Sequence, residues 1–537
     1  MKPFSIKRLT AAVALAFSAL VIAGCGGDSS TGDDTSTPQP QLFPGIVVAG
    51  PIATIANPYN GGDAKSDDLS KTYPFFSAAS YTNDSFNASM GDRFSLAKYD
   101  YVEEEFYIDG KANAYESDGT KSGADVPYRT RVLIRRPANA AKFNGVVVVE
   151  WQNVTAQYDL DALWAAEHMM QSGYVWVGAS VQHVGVDQLV AWSPTRYGDK
   201  AVGGKLDVTG NGKYPTDQLS YSVFAQTAAA VRNPPPGGPK MLGGDFKIKQ
   251  VLATGASQSG SRMTIFYNSV RPVEPKVFDG YEFVVSGAPT TEGTGTNEPI
   301  FLVTSETETP TTAAAVAARR PDSKVFRHWE VAGGTHSGYD GELYRHPLYT
   351  RDLNGANYDA AECNNPKWDR VPLWYVVGGA LDQLVKWVDD SNYSPPTAPY
   401  IQLEDDGVDA TTGAALVKIS RNPATGLAKG GIQLSQVSVP IAYNDGKNTS
   451  KPGETDLAAA AFCRLWGTYI PFKEVADGTS VNGITLPSLR DLYPTSALYL
   501  TALDAIDQQN LKAGYIAQTA VDASHADAVA AMTNFGY

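Results

Sequence analysis

The chain has 537 residues, 43% hydrophobic and 10% aromatic, which is a globular composition and not a disordered one. Its 57 acidic residues outnumber 43 basic ones, giving a formal charge of −14. No nucleic-acid partner is expected of so acidic a chain, because a phosphate backbone needs clustered Lys and Arg. There is no G-x-y period, no sustained heptad and no apolar run of about 18 residues after the N-terminus, so collagen, coiled-coil and polytopic membrane classes are excluded.

Lys2, Lys7 and Arg8 precede an apolar stretch from Leu9 to Gly24 that is short for a membrane span and ends in small residues. That pattern predicts a cleavable export signal over residues 1–24. Ile22-Ala23-Gly24-Cys25 resembles the lipobox of bacterial lipoproteins, in which the cysteine is acylated and becomes the new N-terminus. The resemblance implies lipidation at Cys25 and a chain anchored to the membrane of the bacterial cell envelope, with Gly26 favouring the outer membrane. An ordinary signal with a free cysteine is the alternative. Residues 25–45 are expected to be a flexible tether, since GGDSSTGDDTSTPQPQ is Gly/Ser/Thr/Asp/Pro-rich and carries no apolar period. In an exported protein the two remaining cysteines, Cys363 and Cys463, are expected to pair as a disulfide; two separately buried thiols are the alternative.

Residues 46–537 are expected to fold as α/β structure, with a core over about 100–350 and a C-terminal extension over about 355–537. Val102 to Pro137 reads as antiparallel strands around a polar connection. Gly145 to Trp151 is a continuous apolar, β-branched run, as a strand buried on both faces requires. Leu160, Leu163, Trp164, His168 and Met169 follow at helical spacing, closed by Gly173. Strands are then expected at 174–178, 249–253, 282–286, 300–304 and 325–331, with helices at 219–232 and 259–270. Such alternation implies right-handed βαβ units in a mostly parallel central sheet with flanking helices. From about Gly355 the rhythm changes to a long helical segment (Leu373 to Val388), Gly-rich hairpin-like stretches (Pro399 to Val439) and Ala-rich helices, read as a cap or appendage on the sheet.

Chemistry is expected at three turns. Thr254-Gly-Ala-Ser-Gln-Ser-Gly260 joins a buried strand to a helix, the strand–turn–helix elbow on which α/β-hydrolases carry their nucleophile. Ser257 is the expected nucleophile, with Ser259 as the alternative, and the Gln258 backbone N–H would face an oxyanion at the helix N-terminus. The second turn, Ser305-Glu-Thr-Glu308, ends an apolar strand in acidic residues; Glu308 is the expected acid and Glu306 the runner-up. The third, Gly333-Gly-Thr-His-Ser-Gly338, places His336 among small residues after the last strand, where a loop can reach back to the elbow. The order Ser257, Glu308, His336 is that of the α/β-hydrolase triad. No metal or cofactor is implied: there is no H-E-x-x-H and no Cys/His cluster, and Asp207-Val-Thr-Gly-Asn-Gly reads as a plain turn.

Several segments, among them VVEWQNVTAQYD, YVWVGASVQHVGV, GASQSGSR, SETE, RRPDSKVFRHWEVAGGTH, GALDQLVKWVDD and KGGIQLSQVSVP, resemble a bacterial family of large secreted or lipid-anchored α/β-hydrolase-domain proteins. The elbow is also similar to that of cutinases and glucuronoyl esterases. The resemblance implies an α/β-hydrolase fold with Ser257, Glu308 and His336 as nucleophile, acid and base. The family usually has SETD, and Glu308 stands in place of its Asp. Trp151-Gln-Asn-Val154 corresponds to the second oxyanion loop, with Asn153 as the expected donor. The expected activity is hydrolysis of a carboxylic ester, small or oligomeric, through an acyl-enzyme. A peptidase using the same three residues, and an inactive surface-binding module, are the alternatives.

Overall fold

The computed structural model describes residues 42–78, 93–161, 165–290, 298–354, 361–455 and 457–532, with the side chains of 457–459 left aside. The predicted export signal, Cys25, the tether up to residue 41, Leu163 and Trp164 lie outside the described residues. Nine strands form one sheet: β1 Val47–Ala49, β2 Tyr101–Tyr115, β3 Lys121–Pro137, β4 Val146–Trp151, β5 Val175–Ala179, β6 Gln250–Ala256, β7 Gly280–Val284, β8 Ile300–Thr304 and β9 Phe326–Glu330. Their spatial order is β1-β2-β3-β5-β4-β6-β7-β8-β9. The first three strands and the β3–β5 pair are antiparallel, and every pair from β5 to β9 is parallel.

The apolar runs are long because the parallel strands bury both faces. On β4, Val147, Val149 and Trp151 join one hydrophobic cluster while Val146 and Val148 join the other; β8 divides Ile300 and Leu302 from Phe301 and Val303 in the same way. One face is covered by the helices Ser220–Arg232 and Gln258–Ile265. The opposite face is covered by the C-terminal third together with the helices Ala166–Gln171, His183–Trp192 and Tyr339–Leu353. Helix Leu373–Asp389 lies so close on β7 that a Cβ at Gly280 would stand 2.9 Å from Val388, and Trp387 packs edge-on to Phe301 at 6.2 Å. That third folds with the sheet as a layer of the core: an amphipathic helix cannot leave its apolar face in water when the sheet presents an uncovered one.

One local expectation is corrected, and one helix was not expected. The helix predicted from Leu160 is confined to Ala166–Gln171, because Leu160 pairs with Asn153 in an isolated β-bridge. A helix over His183–Trp192, carrying little apolar periodicity, was not legible. The disulfide is formed: Cys363 and Cys463 are bonded, with Cα atoms 5.6 Å apart.

Candidate active site

β6 turns into helix Gln258–Ile265 at Ser257, whose backbone is held at φ 56°, ψ −116°, a conformation that costs a non-glycine residue of order 1–3 kcal/mol. The turn is over-determined on both sides. Asn153 Nδ2 donates to Ala256 O (2.9 Å), the Ser257 N–H donates to Val284 O (3.0 Å), and a Cβ at Gly260 would stand 2.6 Å from Ser286 Oγ. Ser259 is fully buried; its hydroxyl donates to Ala256 O (2.9 Å) and accepts from the Ala256 N–H (3.0 Å). Its hydroxyl is thus spent on bracing the turn, while Ser257 lines open pocket.

The two glutamates after β8 have different environments. Glu308 Oε1 lies 2.6 Å from His336 Nδ1, and its Oε2 accepts from the Ser305 N–H (3.0 Å) and hydroxyl (2.6 Å) in a capping box. Burial pushes the Glu308 carboxyl up, but the His336 imidazole and the Ser305 hydrogen bonds outweigh it and hold the group below its ordinary value. Glu306 is wholly buried and bound elsewhere: it accepts from the Gly333 N–H (2.6 Å) and the Gly446 N–H (3.1 Å), and it pairs with Arg421 (2.9 Å). Burial pushes its carboxyl up despite Arg421.

The loop carrying His336 is fastened mostly by residues that the sequence did not single out. The His336 N–H donates to Thr307 Oγ1 (3.1 Å), whose hydroxyl donates to Gly446 O (2.7 Å); the Ser337 N–H donates to Leu465 O (2.8 Å). Gly446 and Leu465 belong to the C-terminal third, more than 100 residues away, so no local signal points to them. Among the remaining histidines, His328 on β9 is a core residue: burial and the Arg319 charge push it down to about 3, so it stays neutral.

Ser257 and His336 line one pocket of about 650 Å³, together with Arg345 and the apolar side chains Phe462, Leu465 and Trp466. The Gln258 N–H, first in its helix, has no backbone acceptor among the described residues, as an oxyanion donor requires. Asn153 is a correction: its N–H donates to Leu160 O (3.0 Å) across the β-bridge and is not free for an oxyanion. Its side chain braces the elbow instead. Asp207 accepts from the Thr209 N–H (2.8 Å) and the Asn211 N–H (2.6 Å) within its turn.

A parallel sheet of this strand order, with a serine elbow at the C-terminal end of a central strand, defines an α/β-hydrolase. The chain belongs to the alpha/beta hydrolase domain family, whose model matches residues 48–526. No curated protein matches it. Among solved structures it is similar to oligopeptidase B from Leishmania major (13% identity, TM-score 0.20, 34% of this chain and 20% of that one). It is similar too to methylesterase BT1017 (9%, 0.27, 51% and 64%) and to esterase Est22 (11%, 0.23, 46% and 77%). The match thus spans less than two thirds of the oligopeptidase and of the methylesterase. The disulfide is consistent with an exported protein, and among the described residues no helix is long and apolar enough to cross a membrane.

Proposed function

We propose that the chain is a serine hydrolase that cleaves carboxylic esters. His336 takes the proton of Ser257, whose Oγ attacks the ester carbonyl; the alcohol leaves with that proton, and water, activated by the same imidazole, releases the acyl group. Glu308 holds the imidazole in the tautomer with Nε2 free and stabilises the imidazolium. The Gln258 N–H receives the oxyanion; on the facing loop the Val154 N–H, which makes only a 3.4 Å contact with Gln258 Oε1, replaces Asn153 as second donor. The observation that carries the reading is the 2.6 Å contact between His336 and Glu308 on a loop that shares a pocket with the strained elbow of Ser257.

A fluorophosphonate probe should label the protein at Ser257. Ser257→Ala should abolish p-nitrophenyl ester hydrolysis, whereas Ser259→Ala should keep substantial activity; the reverse pattern would move the nucleophile by two residues. Parallel ester and peptide panels test the choice of substrate bond. Lipidation at Cys25 and anchoring to the envelope, at the outer membrane, complete the proposal; Cys25→Ser should then move the protein to the soluble fraction, and a membrane-bound variant would refute the anchor.

A further inference from the structure

Arg345 is unused by that mechanism. It sits on helix Tyr339–Leu353, which directly follows the His336 loop, and lines the pocket shared by Ser257 and His336. The residue is only 8% exposed. One guanidinium nitrogen, Nη2, donates to Ser337 Oγ (2.7 Å). Among the described residues no carboxylate lies within 4.0 Å of it. Glu342, one turn earlier and also in the pocket wall, has its Oε1 3.1 Å from His346 Nδ1 and accepting from the Tyr349 hydroxyl.

Other deeply buried arginines are paired. Arg131 meets Glu105 at 2.7 Å, Arg135 meets Glu103 at 2.8 Å, Arg196 meets Glu105 at 2.6 Å and Arg271 meets Glu298 at 2.6 Å. A guanidinium taken out of water without a counter-ion is costly, and here it faces a pocket walled by Phe462, Leu465 and Trp466, where Coulomb attraction is little screened. Its planar fork suits a carboxylate. We propose that Arg345 binds a carboxylate carried by the substrate, so that the ester cleaved at Ser257 is anionic: a monoester of a dicarboxylic acid, or an ester of a hydroxy acid. This rests on the esterase reading above and names its substrate class.

The test uses matched ester pairs. On the acyl side, the mono-p-nitrophenyl ester of glutaric acid is compared with p-nitrophenyl pentanoate; on the alcohol side, the acetate ester of p-hydroxybenzoate is compared with that of p-hydroxybenzamide. In at least one pair kcat/KM should favour the anion by about tenfold or more, as a charge-assisted hydrogen bond implies. Arg345→Gln should lower the anionic reaction roughly 10- to 100-fold, mainly through KM, with a much smaller loss on the neutral partner, and Arg345→Lys should restore part of the difference. Equal losses on both partners, or a wild-type preference for the neutral ester in both pairs, would overturn the proposal while leaving the esterase reading intact. If neither ester is hydrolysed and Ser257 does not label, the esterase reading fails. Calorimetry of glutarate with the Ser257→Ala protein then decides: binding lost in the Ser257→Ala, Arg345→Gln double variant upholds the role of Arg345, and no binding overturns it.

Discussion

Removing the Cys363–Cys463 bridge tests whether the C-terminal third is a working wall of the pocket. The two cysteines are separated by 100 residues, and closing a loop of that size constrains the unfolded chain by about 4.7 kcal/mol in the chain-entropy model. Cys463 is fully buried against Ala361 and Trp466 in helix Leu457–Trp466, the helix whose Phe462, Leu465 and Trp466 face Ser257 and His336. The Cys363→Ala, Cys463→Ala variant is therefore expected to lose about 4–5 kcal/mol of stability. At roughly 2.1 cal/mol/K of unfolding entropy per residue, a chain of this size has about 1 kcal/mol/K at its midpoint, so Tm should fall by about 4–5 °C. Scanning calorimetry measures that shift. Ester hydrolysis about 10 °C below the new midpoint, where the folded state prevails, should show KM rising more than kcat falls, since the loosened helix binds substrate without touching the proton transfer. A destabilised variant with unchanged KM would refute the coupling between bridge and pocket, and a Tm unchanged within about 1 °C would refute the stability argument.

Glu308→Gln should lower kcat by roughly 10²–10⁴ with little change in KM, because it leaves His336 in the pocket and removes only the charge that orients it. Glu306→Gln should act mainly on stability, by about 1–3 kcal/mol, since it weakens the hydrogen bonds Glu306 makes while Arg421 keeps Asp445 at 2.8 Å as its counter-ion; a larger kcat loss in Glu306→Gln than in Glu308→Gln would exchange the two roles. Because the folded Glu308 carboxyl titrates below its ordinary value, its contribution to stability is present above the unfolded value and is lost as pH falls through the folded one. Glu282 on β7 has the opposite sign: burial, with Asp382 nearby, pushes its carboxyl up to about 8 against the Thr254 hydrogen bond. The folded chain then binds a proton that the unfolded chain lacks between about pH 4.5 and 8, so wild-type stability falls by about 1.4 kcal/mol per pH unit across that window. Glu282→Gln should lack this slope and gain about 3 kcal/mol relative to wild type at pH 7; melting curves that stay parallel from pH 5 to 8 would contradict it.

The parallel strands and the strand–turn–helix elbow at Ser257 were legible along the chain because each depends on neighbours close in sequence. A strand buried on both faces must be apolar throughout, and a turn as tight as that at Ser257 admits only small residues two positions either side. Glu308 was preferred to Glu306 as the acid, but nothing local in the sequence separates their environments. Both follow the same strand in the same acidic segment, and only the folded loop turns one toward His336 and the other toward Arg421. The Asn153 N–H is withheld from an oxyanion only by its bond to Leu160 O, which the folded bridge creates. The place of the last third, as a core layer whose Gly446 and Leu465 carbonyls hold the histidine loop and whose Phe462 and Trp466 wall the pocket, required coordinates as well. Backbone periodicity and turn chemistry are local and are written in adjacent residues; contacts between residues more than 100 positions apart are fixed by which apolar faces meet when the chain closes, and only the tertiary structure decides that.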